Sequence, residues 1–366
     1  MGVRTQTIAI SQLNLIVGRL KVKLFEPVVD PDSWHPNFLA MYSAGNGFDM
    51  DVLQNWAEGF VDRDGKFVRE FQTTFNSCFW ELYIHAVLKE LGLTVDFSHA
   101  TPDFIVEDPP FCIEAVTSAE AKGKPPEHLT YSVPVPEDLN KFNRDSILRQ
   151  ANSLKSKSDK YLNQYSMYPH VANNPFIVGL APFDCPYFMI EAQRPIEAVL
   201  FGYYVDEERR IAGEVNSLDD AKASISAVIK ESGAQVPVGL FNDASHSHIS
   251  AVMYSTLATK GKVRAISRDP RNSSKFTVLR YNPEGEMPTQ SVIWKNAYTE
   301  GLLDGLHIFH NPFAAKPLGL SVFDRPGVNQ VYFDGASGEW VHTKGMGFLV
   351  FRRVETFISS AAQQGG

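Results

Sequence analysis

The sequence is poor in cysteine: Cys78, Cys112 and Cys185 are the three in 366 residues. No two form a CxxC pair, which argues against a zinc ribbon, a redox dithiol or a disulfide framework. Three buried thiols in a reducing compartment, the cytoplasm, is the expectation. A run of 18 apolar residues is missing as well, so no membrane-spanning helix is predicted. The opening "MGVRTQTIAISQLNLIVGRL" lacks a compact apolar core followed by small cleavage-site residues, and it reads as mature sequence. Positive charge is not in excess, because the net charge is −8. That argues against binding polyanions over the whole surface, although a local basic patch would still set the field in a cleft. GxSxG, the Walker-type phosphate loop and GxGxxG are absent, and no serine or cysteine has evident triad partners. A hydrolase using a side-chain nucleophile is therefore not expected. Neither an internal repeat nor a low-complexity tract occurs.

What is present suits a globular chain of one large domain or two, with 44% apolar and 21% charged residues. Residues 6–27 mix β-branched and apolar residues and read as one or two strands. Residues 28–48, with two prolines and "SAGNGFD", read as loop. "DVLQNWAEGFVD" is a short helix candidate. Over residues 67–91, Phe71, Phe75, Phe79, Leu82, Ala86 and Leu88 recur near 3.6-residue spacing, which predicts one long helix closed by Gly92. "TPDFIVED", a Pro-Pro turn and "FCIEAVTS" predict a hairpin. A second helix is expected over 145–165 and a buried strand over 174–183. "AKASISAVIKE" suggests a further helix, and "ISAVMYST", "KFTVLRYN" and "QVYFDG…EWVHTKGMGFLVFRRV" suggest further strands. This order predicts an α/β fold with a mixed sheet.

Three acids stand out. Glu81 lies in the aromatic helix, within "FWELY". Asp103 opens the first hairpin strand. Glu114 follows after ten intervening residues, flanked by "FCI" and "AV". A carboxylate in so apolar a strand is costly unless it is paired or holds a metal. Mg²⁺ (or Mn²⁺) keeps several waters and needs only one or two carboxylates, so Asp103 and Glu114 are the candidate metal ligands. Such an ion polarises a phosphodiester and activates a water. Two of the acids also have a plainer reading: Glu81 as a helix-surface residue, Asp103 as a strand-start residue after proline.

The string "PDF-x8-IEAV", with this order of elements over residues 68–183, resembles the PD-(D/E)xK nuclease superfamily. The resemblance implies a restriction-endonuclease-like core with N- and C-terminal additions. The expected division is 1–66, 67–256 and 257–366. It also implies Asp103 and Glu114 as metal ligands and Glu81 as an accessory acid. The sequence departs from the motif at its lysine, whose place is taken by Val116. Positions 114 and 116 share one side of a strand, and valine brings neither charge nor donor. In this superfamily the lysine can move to the second helix. Here residues 141–160 hold Lys141, Arg144, Arg149, Lys155, Lys157 and Lys160 against Asp145 and Asp159. Lys157 or Lys160 is expected to supply the missing cation, with Lys157 slightly favoured beside Leu154. A solvated helix face is the plainer reading of the same lysines.

His246 with His248, and His307 with His310, lack acidic or cysteine partners at metal-site spacing. The stretch 259–280 carries seven basic residues and one acid, read as a solvated loop or, second, as a track for a phosphate backbone. Two functions stay open at this stage. One is a metal-dependent nuclease acting on nucleic acid, with DNA the expected substrate. The other is a catalytically inactive module of the same fold that binds nucleic acid or a protein partner.

Overall fold

The computed structural model describes residues 22–43, 46–215, 219–285 and 287–357. Strands expected within residues 1–21 lie outside these, and residues 22–27 form turn and coil. Helix α1 (Pro36–Tyr42) occupies a region expected to be loop. Pro36 at its first position needs no N–H partner, and His35 Nδ1 accepts from Asn37 N–H to cap it. Helix α2 (Gly47–Trp56) follows.

The long aromatic helix is broken in two, α3 (Phe67–Thr73) and α4 (Asn76–Glu90). At the break, the Thr73 and Thr74 hydroxyls bond back to the Arg69 and Glu70 carbonyls, a habit that bends helices. Strands β1 (Phe104–Val106) and β2 (Phe111–Thr117) form the expected hairpin, with Phe104 opposite Ile113. Helix α5 (Leu139–Asn163) starts six residues earlier than expected, capped by the Asp138 carboxylate on Lys141 N–H. Strand β3 (Phe176–Ala181) then pairs parallel to β2, as a crossover through a helix requires. Helix α6 (Arg194–Phe201) covers the same face as α5.

The helix expected over "AKASISAVIKE" is absent. Lys222–Ser224 pairs with Tyr203–Val205, and Ala227–Ile229 pairs with Gln235–Pro237. The β-branched Ile225, Val228 and Ile229 favour this outcome, and Gly233 supplies the positive φ of the return turn.

Strands β4 (Ala251–Tyr254), β7 (Leu306–His310), β8 (Val328–Asp334) and β9 (Glu339–His342) extend the main sheet, in the order β1-β2-β3-β4-β7-β8-β9. The chain is thus mixed α/β, with a large mixed sheet flanked by helices. The boundary expected after residue 256 falls inside this sheet, because β7–β9 complete it. Between β4 and β7 run helix α7 (Lys260–Ile266) and strands β5 (Ser274–Arg280) and β6 (Thr289–Trp294). Strand β10 (Leu349–Thr356) joins them in a second sheet, β6-β5-β10.

The basic stretch 259–280 is not a solvated loop: it folds as α7 and β5 and turns part of its charge inward. Lys262 is fully buried, 2.7 Å from Glu300, and Arg264 bonds Asp49 and Asp269 at 2.8 and 3.0 Å.

Alternation along β2 sorts its side chains. Phe111, Ile113 and Ala115 join the core under α4, while Cys112 and Val116 face the core under α5. Glu114 shares that second face. On the first, α4 lies very close to the sheet: Trp80 Nε1 donates to Gly179 O at 2.9 Å. A Cβ at Gly179 would stand 2.8 Å from Ile84 Cδ1, so glycine permits this approach and fixes Glu81 beside the hairpin.

Candidate active site

Glu114 is 2% exposed. Its Oε1 accepts from Lys157 Nζ at 2.8 Å and from Lys160 Nζ at 2.9 Å, and its Oε2 accepts from Tyr165 Oη at 2.8 Å. Both candidate lysines of the second helix therefore reach the strand, and the choice between them does not arise. Burial pushes the Glu114 carboxyl up, but the two ammonium groups outweigh it and hold it below the usual carboxylate range. Lys160 also stands 4.8 Å over the Tyr165 ring. Val116 packs into the apolar core beside this cluster.

Asp103 lies across the hairpin. Its Oδ2 accepts from Ala115 N–H at 2.7 Å, which ties the two acid-bearing strands together. Burial and the Glu114 charge push its carboxyl up to about 6, against the pull of Lys157 and Arg63. Glu81 comes from the opposite face on α4 and is only partly exposed, so it is not a free surface residue. Burial, then the charge of Asp103, pushes it up to about 8. Among the described residues, neither Glu81 nor Asp103 Oδ1 makes a hydrogen bond. Mutual repulsion with open oxygens is the state of acids that a cation would relieve.

Two participants had no clear sequence signal. Arg63, in the segment before α3, donates through Nη1 to His99 O at 2.7 Å and Pro102 O at 3.2 Å. It thereby braces the segment entering Asp103 and lowers the pKa of both neighbouring acids. Tyr165 sits in the single 3-10 turn that follows α5. The four-residue step from Lys157 through Tyr161 to Tyr165 hints at a shared face, but Tyr165 lies past the end of the helix at Asn163.

The other histidines stay apart. His246 is in a short turn, and His248 Nε2 bonds Ser158 Oγ at 2.8 Å. His307 and His310 lie on β7, paired with Asn329 and Gln330.

A second acidic cluster went unnoticed in the sequence. Asp184, Cys185 and Glu191 bring their ligand atoms within 4.8 Å of one another and could hold a metal ion. Among the described residues no other three metal-ligating groups do so, and the Glu81, Asp103 and Glu114 oxygens are more widely spaced. Ser146 Oγ donates to Glu191 Oε2 at 2.8 Å, and the Cys185 thiol lies 3.7 Å from Oε1. Burial pushes Asp184 up to about 7 and Glu191 well above the usual range. No helix among the described residues is long and apolar enough to cross a membrane.

No family model matches the sequence, no curated protein matches it, and no solved structure matches the chain.

Proposed function

We propose that the chain is a metal-dependent nuclease of the PD-(D/E)xK type, hydrolysing phosphodiester bonds of nucleic acid, with DNA the first substrate to test. One observation carries this reading: Lys157 and Lys160, both on α5, reach Glu114, the acid of a motif whose lysine is replaced by Val116. This contact supports a helix-borne cation acting in place of the strand's lysine. The element order helix, hairpin, helix, strand around Glu81, Asp103 and Glu114 supports the same reading.

Asp103 and Glu114 would hold Mg²⁺ or Mn²⁺, and their charge, together with the open oxygens of Glu81 and Asp103, suits such an ion. When bound, the ion supplies Lewis-acid polarisation of the phosphate and a more acidic water. The chain's own residues do the rest. Without the ion, the lysines neutralise Glu114. One of them must swing away for Glu114 to act as a ligand, and that ammonium is then free to stabilise negative charge on the phosphate. Glu81, pushed up to about 8, can hold a proton near neutral pH and pass it within the site. Arg63 keeps Asp103 in place.

The alternative, an inactive module that binds nucleic acid or a protein, is favoured by the saturation of Glu114: both its oxygens already have partners. Cleavage of plasmid and single-stranded DNA with Mg²⁺ or Mn²⁺ separates the two. The proposal expects cleavage that requires the metal and is lost in the Asp103→Ala, Glu114→Ala double variant. Binding of DNA without any cleavage would establish the module instead.

A further inference from the structure

A cavity of about 1420 Å³ opens where the start of α4, the loop after β2 and strand β10 meet. It is distinct from the carboxylate site, since Asp103, Glu114, Lys157 and Lys160 do not line it. It is larger than the ~300–1,000 Å³ of a typical small-ligand pocket. Phe75, Phe79, Phe183 and Phe188, with Tyr131 and Tyr187, give it aromatic walls.

One end is polar and incompletely satisfied. Glu127 lines the cavity and is 8% exposed. Its Oε1 accepts from the side-chain amides of Asn37 and Asn76 at 2.5 and 2.8 Å. Its Oε2 is buried with no hydrogen-bond partner, and the nearby His128 Nδ1, at 3.3 Å, also lacks one. A buried carboxylate oxygen that faces the His128 ring without a hydrogen bond is costly, and a ligand N–H would supply that bond. Lys260 lines the same space and has no ion pair or hydrogen bond among the described residues. Burial pushes its ammonium down, with Glu127 opposing, so an anion beside it would offset the cost of burying that charge. Arg353 borders the cavity too, 5.8 Å over the Tyr131 ring.

We propose that this cavity is a second binding site, and that its ligand is a nucleotide. The base would stack on the aromatic walls and donate an N–H to Glu127 Oε2, with the phosphates towards Lys260 and Arg353. The three features select together. An inorganic anion offers no ring to the walls, and an aliphatic chain offers no N–H to the carboxylate. This inference does not depend on the nuclease reading.

Thermal melting and calorimetric titration of the full chain test it, with ATP, GTP, CTP and UTP in turn, in EDTA so that no divalent ion occupies the carboxylate site. Sulfate serves as the anion without a base. At least one nucleotide should raise Tm and bind. Either Glu127→Gln or Lys260→Gln should weaken that binding at least about tenfold, while Glu114→Gln leaves it intact. Glu127→Gln could fail to fold because Asn37 and Asn76 lean on Glu127. Lys260→Gln removes no hydrogen bond or ion pair among the described residues and then decides alone. The proposal is overturned by no response to any of the four, by an equal response to sulfate, or by loss in Glu114→Gln with none in Glu127→Gln and Lys260→Gln.

Discussion

Helix α5 lies against two buried acidic clusters and answers them in opposite ways. Its second half sends Lys157 and Lys160 to Glu114, which stays ionised. Its first half sends the Ser146 hydroxyl to Glu191, and that cluster is neutralised by protons instead. From Ser146 to Lys157 is about 16 Å along the helix. A buried carboxylate must be discharged somehow, and the means chosen decides what it can do next. Ammonium groups on long side chains can leave and uncover a charge, which suits a site that binds a cation or phosphate. A proton held by burial leaves an acid that is quiet near neutral pH until a metal or a base removes it.

The comparison breaks most visibly if the lysines are removed together. Lys157→Ala with Lys160→Ala strands an ionised Glu114 in the core, at a cost of about 3–5 kcal/mol in urea unfolding. Adding Glu114→Gln to that pair should recover most of the loss. No recovery would mean that the lysine stems, not their charge, support the fold.

Asp184 should respond to pH in the opposite sense. Its carboxyl titrates near 4 when unfolded and at about 7 when folded. The folded state therefore holds a proton that the unfolded state has lost between these values. Stability falls as pH rises from about 4 to 7 and levels off above that. Asp184→Asn removes the penalty, so its Tm should exceed wild type by several degrees at pH 8 and by little at pH 4. A constant gap at both pH values would contradict the proton-held reading.

The metal capacity of the second cluster sharpens the contrast further. If Asp184, Cys185 and Glu191 take up Zn²⁺, which suits a thiolate ligand, Zn²⁺ retained after dialysis should drop in Glu191→Gln and persist in Glu114→Gln. Equal retention in both would show that the cluster stays protonated. The smallest effect belongs to Tyr165→Phe, which removes one hydrogen bond to a charged group that keeps two others. It should cost about 1–2 kcal/mol and move the Glu114 carboxyl upward, measurable by carboxyl NMR.

Much of the first cluster was legible because it is local. Alternation places Glu114 and Val116 on one side, the hairpin brings Asp103 alongside, and α5 is amphipathic enough to aim its lysines. The second cluster was hidden because its parts meet through tertiary packing. Asp184 and Cys185 follow β3 in a loop, Glu191 arrives after Tyr187 at positive φ, and Ser146 comes from a distant helix. Arg63 was hidden for the same reason, since its contacts at His99 and Pro102 are more than thirty residues away. The misread helix over 221–231 shows pairing overriding a composition of alanine, serine and lysine. The stretch 259–280 shows charges turned inward, where their partners Glu300 and Asp49 cannot be foreseen from spacing.

The most direct test compares Mg²⁺-dependent DNA cleavage by wild type, Asp103→Asn and Asp184→Asn under one set of conditions. The account predicts cleavage by wild type and Asp184→Asn at similar rates, with Asp103→Asn reduced by about 10²-fold or more. Cleavage surviving in Asp103→Asn and lost in Asp184→Asn would move the chemistry to the other end of α5 and contradict it.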